Sequence, residues 1–315
     1  MIINTGQRTD IPAFYSRWFY NRIREGYVCV RNPYFETKVT RYRLNPDVVD
    51  LLCFCTKNPA PMLDRLQELS AYRQFWFVTI TPYRRDIEPH VPEADAVIRS
   101  FQRLSEMVSP RCVGWRYDPI LITDQYSVDF HIRAFRRMCG MLQGYTHQVV
   151  ISFLDLYEKT KRNFPEAREV TQSERLEIGK AFSEIGASFH MKMRTCLEGE
   201  DLESFGYDCS GCMTKQVLEQ AIGEEFCIPS SAAPQARPGC SCLIGNDIGA
   251  YNSCGHGCRY CYANQDTELV RARMKWHDPT SPFLIGGSMP EDEVHAAVQK
   301  RWVTGQMVLT LGGIS

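Results

Sequence analysis

The sequence lacks a charge surplus, a long apolar run and a secretory leader. Its 36 Lys and Arg residues nearly balance its 37 Asp and Glu residues, for a formal net charge of -1. Nucleic-acid surfaces depend on clustered basic residues, so this balance argues against a nucleic-acid partner. No apolar run reaches the ~18 residues that span a bilayer, and residues 1–5 have no basic and apolar leader pattern. We therefore expect a cytoplasmic protein without a membrane partner.

Disulfides are also expected to be absent, although cysteine is plentiful. The chain has 14 cysteines, and a reducing cytoplasm keeps thiols unpaired. Metal or cluster ligation is therefore the better expectation. The cysteines concentrate between Cys209 and Cys261, which places the expected metal chemistry late in the chain.

A glycine-rich phosphate loop after the first strand is missing, which argues against an open doubly wound sheet. Short apolar runs instead alternate with amphipathic helical patterns, which predicts a parallel sheet with helices outside. The predicted strands cover residues 1–5, 49–55, 75–81, 112–116, 149–153 and 188–193. The predicted helices cover residues 12–25, 60–71, 94–108, 127–142, 173–185 and 265–276. The pattern predicts the α/β class, as a partial or permuted β/α barrel.

The character of the sequence changes after residue 195. We expect a β/α barrel body over residues 1–195, a cysteine-rich iron–sulfur region over 196–264, and a C-terminal helix and closing segment over 265–315. Residues 198–238 are acidic and then rich in Ser, Ala and Pro, which is typical of a linker or wrapping segment. Residues 307–311 predict a last strand.

One loop carries the most informative motif. Cys254, Cys258 and Cys261 are spaced Cys-x3-Cys-x2-Cys, and Tyr260 directly precedes the last of them. Three thiolates can hold three irons of a 4Fe-4S cluster and leave the fourth iron open for chemistry. The alternative is a structural zinc knuckle or unligated core cysteines, although zinc prefers paired Cys-x2-Cys modules with four ligands.

The remaining cysteines predict a second metal site. One quartet, Cys196, Cys212, Cys240 and Cys242, would complete a second, fully ligated 4Fe-4S cluster suited to electron transfer or substrate anchoring. The rival is a zinc site that uses the Cys209-x2-Cys212 pair with Cys240-x-Cys242. The spacing leaves both open.

Polar residues follow several predicted strands. Functional residues of β/α barrels lie where strands end and helices begin. Candidates for binding a cofactor or substrate are therefore Arg8, Asp10, Lys57, Arg116, Asp118, Asp155 and Tyr157, of which the last four are the catalytic candidates. Two alternatives stay open: Asp10 caps the first helix, or the charged residues pair in a structural ion network, since a buried cation is costly without a partner.

The motifs carry a resemblance to a known family. Residues 8–15, 30–33, 56–61, 115–120 and 247–251 resemble a bacterial family catalogued as domain of unknown function 1848, and the likeness covers nearly the full length. This resemblance implies a seven-cysteine arrangement. The implied ligands are Cys196, Cys212, Cys240 and Cys242, followed by Cys254, Cys258 and Cys261.

The cysteine motif separately resembles that of radical S-adenosylmethionine (SAM) enzymes such as spore photoproduct lyase. This resemblance implies that SAM binds the open iron and is cleaved reductively to a 5'-deoxyadenosyl radical, with electrons from a flavodoxin or ferredoxin type donor. It places Tyr260 beside the adenine. Gly286 and Gly287 partly match the SAM-binding Gly-Gly-Glu element, with Ser288 in place of glutamate, and a plain turn is the alternative.

The position of the motif differs from the usual radical SAM order. In that superfamily the three cysteines follow the first barrel strand, whereas here they begin at Cys254. The barrel would therefore be permuted, or the loop would come from a C-terminal extension. We expect a radical SAM-type enzyme acting on a small-molecule or peptide substrate. The rivals are an enzyme that uses the open iron as a Lewis acid, and a non-enzymatic iron–sulfur or zinc protein serving as redox partner or scaffold.

Overall fold

The computed structural model describes residues 1–229 and 240–308. The elements in chain order are β1 (Ile2–Asn4), α1 (Ile11–Phe14), α2 (Ser16–Glu25), β2 (Tyr27–Arg31), β3 (Lys38–Arg43), β4 (Leu51–Thr56), α3 (Ala60–Leu63), β5 (Gln74–Thr79), α4 (Ala94–Val108), β6 (Val113–Ile120), α5 (Val128–Leu142), β7 (Gln148–Phe153), α6 (Glu158–Asn163), α7 (Gln172–Ser188), β8 (Lys192–Thr195), α8 (Lys215–Ile222), β9 (Glu224–Phe226), α9 (Thr267–Lys275), β10 (Glu293–Ala296) and β11 (Val303–Met307). No helix in these two ranges is both long and apolar enough to cross a bilayer.

A six-stranded parallel sheet forms the centre of the molecule. Its order is β1-β4-β5-β6-β7-β8, so the strands follow one another across the sheet in chain order. Two smaller sheets, β10-β3-β2 and β11-β9, lie outside it. The predicted α/β class is confirmed, whereas no strand pairing closes the sheet into a barrel within residues 1–229 and 240–308.

The two faces of the central sheet pack against different parts of the chain. Alternate residues of a strand point to opposite faces. Phe54 and Trp76 belong to the core cluster that contains the apolar residues of α4, α5 and α7. Cys53 and Phe77 instead belong to a cluster with α8 and several late cysteines. Helices therefore cover one face, and the cysteine-rich region covers the other.

One edge of the sheet is covered by residues 207–213, here called the first edge segment. The backbone N–H of Asp208 donates to the carbonyl of Met193 at 3.0 Å, and that of Thr195 donates to the carbonyl of Asp208 at 3.2 Å. These bonds satisfy backbone groups of β8 that would otherwise be left at an open edge.

The opposite edge is covered by residues 242–248, here called the second edge segment. The backbone N–H of Ile248 donates to the carbonyl of Asn4 in β1 at 2.9 Å. The two edge segments meet, since the N–H of Leu243 donates to the carbonyl of Met213 at 2.9 Å. The cysteine-rich region thus bridges the two edges of the sheet without adding regular strands.

Local sequence explains where the main helices begin. The side chain of Ser127 accepts a hydrogen bond from the first turn of α5, and Thr171 and Glu174 form a capping box at α7. The predicted helix 12–25 is split at Tyr15 into α1 and α2. The predicted strand 188–193 began too early, because α7 continues to Ser188.

Three further parts of the chain either were missed by the sequence prediction or extend outside the described residues. The sequence reading missed the β2–β3 hairpin, whose strands are mixed polar and apolar. Of the expected linker at residues 198–238, residues 230–238 lie outside the described residues, whereas residues 198–229 contain the helix α8 and the strand β9 and are not a plain linker. The expected last strand at 307–311 lies mostly beyond residue 308, and β11 ends at Met307.

Candidate functional site

A cavity of about 330 Å³ lies at the carboxyl ends of the central strands. All seven predicted metal ligands line it: Cys196, Cys212, Cys240, Cys242, Cys254, Cys258 and Cys261. The other predicted residues that line it are Asp10, Lys57, Arg116, Asp118, Asp155, Tyr157 and Tyr260. The polar residues at the strand ends and the seven predicted cysteine ligands therefore line the same cavity.

Three predicted residues are not among those that line the cavity. The Arg8 guanidinium donates to the carbonyl of Gly249 at 3.4 Å and lies 3.7 Å from a carboxylate oxygen of Asp247, so it holds the chain after the second edge segment. Gly286 donates its N–H to the carbonyl of Trp276, and the carbonyl of Gly287 accepts from Arg31. Gly286 lies at a bend with a φ of +72°, and the match of the two glycines to a SAM-binding element stays a prediction.

The loop of residues 252–264, here called the cysteine loop, spreads its three thiols. Gly257 has a φ of +69°, a left-handed conformation that glycine adopts without steric cost. Cys254, Cys258 and Cys261 are half-buried, and their sulfurs are not all within 4.8 Å of one another. A cubane binds each thiolate at a separate iron, so this spread donor set fits a cluster better than a single shared ion.

His256 fastens the cysteine loop to the first strand–helix connection. Its Nε2 lies 2.8 Å from Oδ2 of Asp10, and the histidine is 3% exposed. Asp10 also accepts from the Thr56 hydroxyl at 2.7 Å, from the Lys57 N–H at 2.7 Å, and from the Ala13 N–H as the cap of α1. The predicted capping role of Asp10 is therefore combined with a role in holding the loop.

Glu88 provides a second attachment for the same loop. Its Oε1 accepts hydrogen bonds from the Tyr260 hydroxyl, from Lys57 Nζ at 2.9 Å and from the Thr81 hydroxyl at 2.8 Å. Burial acts to lower the pKa of Lys57, but the charges of Glu88 and the Cys258 thiolate form outweigh it and raise the pKa. The sequence reading missed both Glu88 and His256. An acidic side chain in the loop after β5, and a lone histidine inside the cysteine motif, were the available signals.

Burial disfavours the thiolate form of the cysteines in the loop. Burial raises the pKa of Cys254 and of Cys258, and the carboxylate of Glu88 raises the latter further while Lys57 lowers it. Metal binding requires the thiolate, so loading this loop would release protons.

A second group of thiols is much more compact. The sulfurs of Cys196, Cys212 and Cys242, here called the thiol triad, all lie within 4.8 Å of one another. Cys212 Sγ is 3.3 Å from Cys196 Sγ and 3.6 Å from Cys242 Sγ. Within residues 1–229 and 240–308 this is the one group of three or more His, Cys, Asp or Glu side chains gathered that closely. Cys240 lines the same cavity but lies outside that group.

The strand-end polar residues connect the thiol triad to the rest of the cavity. Arg116 donates to Cys212 Sγ at 3.2 Å and pairs with Asp118, which accepts from the Ser152 hydroxyl. The Tyr157 hydroxyl donates to Asp155 at 3.1 Å near the solvent side. Of the ion network considered from the sequence, the Arg116–Asp118 pair is present, and both residues also line the cavity.

Glu198 is a further cavity residue that was not among the predicted site residues. Its carboxylate lies 3.0 Å from Arg175 and accepts from the Phe153 N–H at 3.1 Å. Burial raises the pKa of Glu198 to about 8, against the opposing effect of Arg175. It adds a proton-carrying group at the ends of β7 and β8.

The chain matches the family described as Domain of unknown function (DUF1848) over residues 2–263 and belongs to that family. The match covers the central sheet, the thiol triad and the three motif cysteines. No curated protein matches the chain. No solved structure matches it either.

Proposed function

We propose that this DUF1848 protein is a radical SAM-type iron–sulfur enzyme that acts on a small-molecule or peptide substrate. The observation that carries the proposal is the single cavity that brings the cysteine loop together with polar residues at the strand ends. A reactive cofactor on one wall and substrate-binding groups on the other are what such an enzyme needs. A volume of about 330 Å³ lies within the range of small-molecule sites.

The residues proposed to hold the catalytic 4Fe-4S cluster are Cys254, Cys258 and Cys261. With SAM and one electron from a reductant, such a cluster would supply hydrogen-abstraction chemistry to a substrate in the cavity. His256 and Tyr260 attach the loop to Asp10 and to Glu88, which keeps the three thiols directed at the cavity.

The central sheet is proposed to serve as a partial barrel with permuted connectivity. Its strands run in chain order, the helices α4, α5 and α7 cover one face, and the cysteine-rich region covers the other. The cysteine loop then reaches the strand ends from the C-terminal side of the sequence. This arrangement accounts for a motif that begins at Cys254 and not after β1.

The substrate is proposed to bind between the cysteine loop and the ends of β6 and β7. Arg116 and Lys57 supply positive charge, and Asp118 and Asp155 supply hydrogen-bond acceptors. Tyr157 is 44% exposed, which places it at the entrance of the cavity. A flavodoxin or ferredoxin type protein is the proposed electron donor.

Anaerobic reconstitution tests the proposal. Protein loaded with iron and sulfide is mixed with SAM and dithionite, and 5'-deoxyadenosine is measured by chromatography. We expect release that depends on reductant. Cys258→Ala should abolish it, and Cys227→Ala is the matched control because Cys227 is exposed and outside the cavity.

Other outcomes separate the rival functions. Iron and sulfide without 5'-deoxyadenosine, and without SAM binding, would overturn the radical proposal in favour of an enzyme that uses the open iron as a Lewis acid. Zinc without sulfide at the cysteine loop would instead indicate a scaffold or redox protein.

A further inference from the structure

We propose that the thiol triad, together with Cys240, binds one tetrahedral metal ion of the zinc class. This ion takes the place of the second 4Fe-4S cluster expected from the sequence. The proposal is independent of the radical chemistry, because it concerns different cysteines and a structural role. It rests on sulfur spacing, on donors to the sulfurs, and on where the ligands lie in the fold.

The spacing of the sulfurs is that of ligands to a shared ion. Zn–S bonds of ~2.3 Å at tetrahedral angles place neighbouring sulfurs about 3.8 Å apart. Cys212 Sγ lies 3.3 Å and 3.6 Å from the sulfurs of Cys196 and Cys242. A cubane attaches each thiolate to its own iron, so these three side chains would have to move apart to bind one.

Hydrogen-bond donors contact two of the three sulfurs of the triad. The Arg116 guanidinium donates to Cys212 Sγ at 3.2 Å, and the backbone N–H of Met213 donates to Cys242 Sγ at 3.2 Å. Such donors around a metal site hold its ligands in place and offset their charge. Arg116 therefore serves the triad as well as the cavity.

Cys240 is the proposed fourth ligand. It is 3% exposed and lines the central cavity together with the three triad cysteines. It also lines a smaller adjoining pocket with Cys196 and Cys242. Cys209 lines that pocket but not the central cavity, which makes it the weaker choice.

The ligands come from opposite sides of the open sheet. Cys196 directly follows β8, Cys212 lies in the first edge segment, and Cys242 begins the second edge segment that runs to β1. Leu197 turns the chain just after Cys196 with a φ of +59°, an unfavourable value for a non-glycine residue. One ion at this place would tie the β8 side of the sheet to the β1 side.

The test begins with a variant that lacks the cysteine-loop ligands. Cys254→Ala/Cys258→Ala/Cys261→Ala leaves the triad and Cys240 as the intended metal site. We expect about one zinc per chain, without iron or acid-labile sulfide. Replacing zinc with Co²⁺ should give the visible absorption of a tetrahedral thiolate complex.

Single substitutions in the otherwise intact protein then identify the ligands. Cys242→Ser and Cys240→Ser should each weaken zinc retention against a competing chelator by roughly tenfold or more, since even outer-shell changes cost tenfold or more. Cys209→Ser is the matched control and should retain zinc. A Co²⁺ spectrum unchanged by Cys240→Ser, but altered by Cys209→Ser, would overturn the assignment of the fourth ligand.

Three results would overturn the metal site itself. They are iron and sulfide retained by the triple variant, absence of any bound metal, and a disulfide within the triad. If the triple variant fails to fold, X-ray absorption at the zinc edge of the intact protein gives the sulfur coordination directly. Release of 5'-deoxyadenosine is measured on the same intact protein, so failure of the zinc proposal and failure of the radical proposal are told apart.

Discussion

Gly211 is the residue whose lack of a side chain most directly permits the thiol triad. Its φ is +123°, and a Cβ built there would lie 3.2 Å from Cys242 Sγ and 3.1 Å from the Ser241 hydroxyl. We expect Gly211→Ala to displace Cys242 and to lower the zinc content. The strained backbone should also reduce the free energy of unfolding by about 1–3 kcal/mol. Metal analysis and urea unfolding measure the two effects.

Gly206 provides the control for Gly211. It also has a positive φ, of +84°, but a Cβ there would meet nothing within 4 Å. Gly206→Ala should therefore carry a backbone cost without a new contact, and the zinc content should stay unchanged. Equal loss of zinc in the two variants would mean that backbone strain, and not contact with Cys242, controls the site.

His131, in α5, makes stability depend on pH at a position outside the cysteine-rich region. Its Nε2 donates to the carbonyl of Leu121 at 2.8 Å, and its Nδ1 accepts from the Tyr117 hydroxyl at 2.7 Å, so the buried ring is neutral. Burial lowers its pKa to about 4. The unfolded chain binds the proton from about pH 6.5 downward, so stability falls as the pH decreases through this window. We expect about 2 kcal/mol less unfolding free energy at pH 5 than at pH 7 from this group.

His131→Gln isolates that contribution because it removes the titrating ring and keeps a hydrogen-bonding amide. Unfolding free energies of both proteins at pH 5 and pH 7 give the comparison. The variant is expected to be less stable at pH 7 but to lose less stability on acidification. An equal pH difference in the two proteins would assign the dependence to other groups.

At the scale of elements, the attachment of the cysteine loop depends on the buried pair of Lys57 and Glu88. Their side chains are 13% and 2% exposed, and Glu88 also accepts from Tyr260 in the loop. Glu88→Gln should cost about 3–5 kcal/mol, because it leaves the Lys57 ammonium buried without a countercharge. Chemical unfolding of the apo protein measures the loss without a contribution from metal.

A double variant distinguishes the charge effect from simple loss of packing. Lys57→Met keeps most of the side-chain volume and removes the charge. Combined with Glu88→Gln, it should be less destabilised than the sum of the two single variants, since neither charge is then left alone. Additive losses would contradict a coupled ion pair.

The elements that the sequence predicted well are those with a strong local signal. The apolar run of β4 and the amphipathic pattern of α4 are clear, and the predicted bounds of α4 are those observed. The β2–β3 hairpin was missed because β2 is a short apolar run of five residues, β3 carries three basic residues, and no glycine turn joins the strands. Tyr15 ends α1 without a glycine or proline to mark the break.

The residues of the candidate site likewise fall into those that the sequence predicted and those that it could not predict. Motif spacing identified the cysteines of the loop and placed the strand-end residues at one face. It could not identify Glu88, because the partners of Glu88 come from the connections after β4 and β5 and from the cysteine loop, and only the fold brings them together. Motif spacing also could not show that the sulfurs of the thiol triad lie close together while those of the cysteine loop lie apart, since this difference depends on how the edge segments meet.

At the scale of the whole molecule, the cysteine-rich region connects the two edges of the open central sheet. The first edge segment bonds to β8, the second bonds to β1, and they meet through Leu243 and Met213. Few backbone bonds make this bridge, so its stability should depend on side chains. A metal ion shared by Cys196, Cys212 and Cys242 would connect the end of β8 to both edge segments.

Removing that ion should therefore increase local opening of the two edge segments and leave the helical face of the sheet unchanged. Hydrogen exchange is compared between protein as purified and protein treated with a zinc chelator. We expect faster exchange at residues 207–213 and 242–248, with α4 and α5 unchanged, because the core of the helical face does not involve the triad. Cys212→Ser should reproduce the pattern without chelator, and Cys139→Ser, in α5, should not. Uniform acceleration across the sheet would mean that the ion supports the global fold, and no acceleration would mean that the edge segments hold together without it.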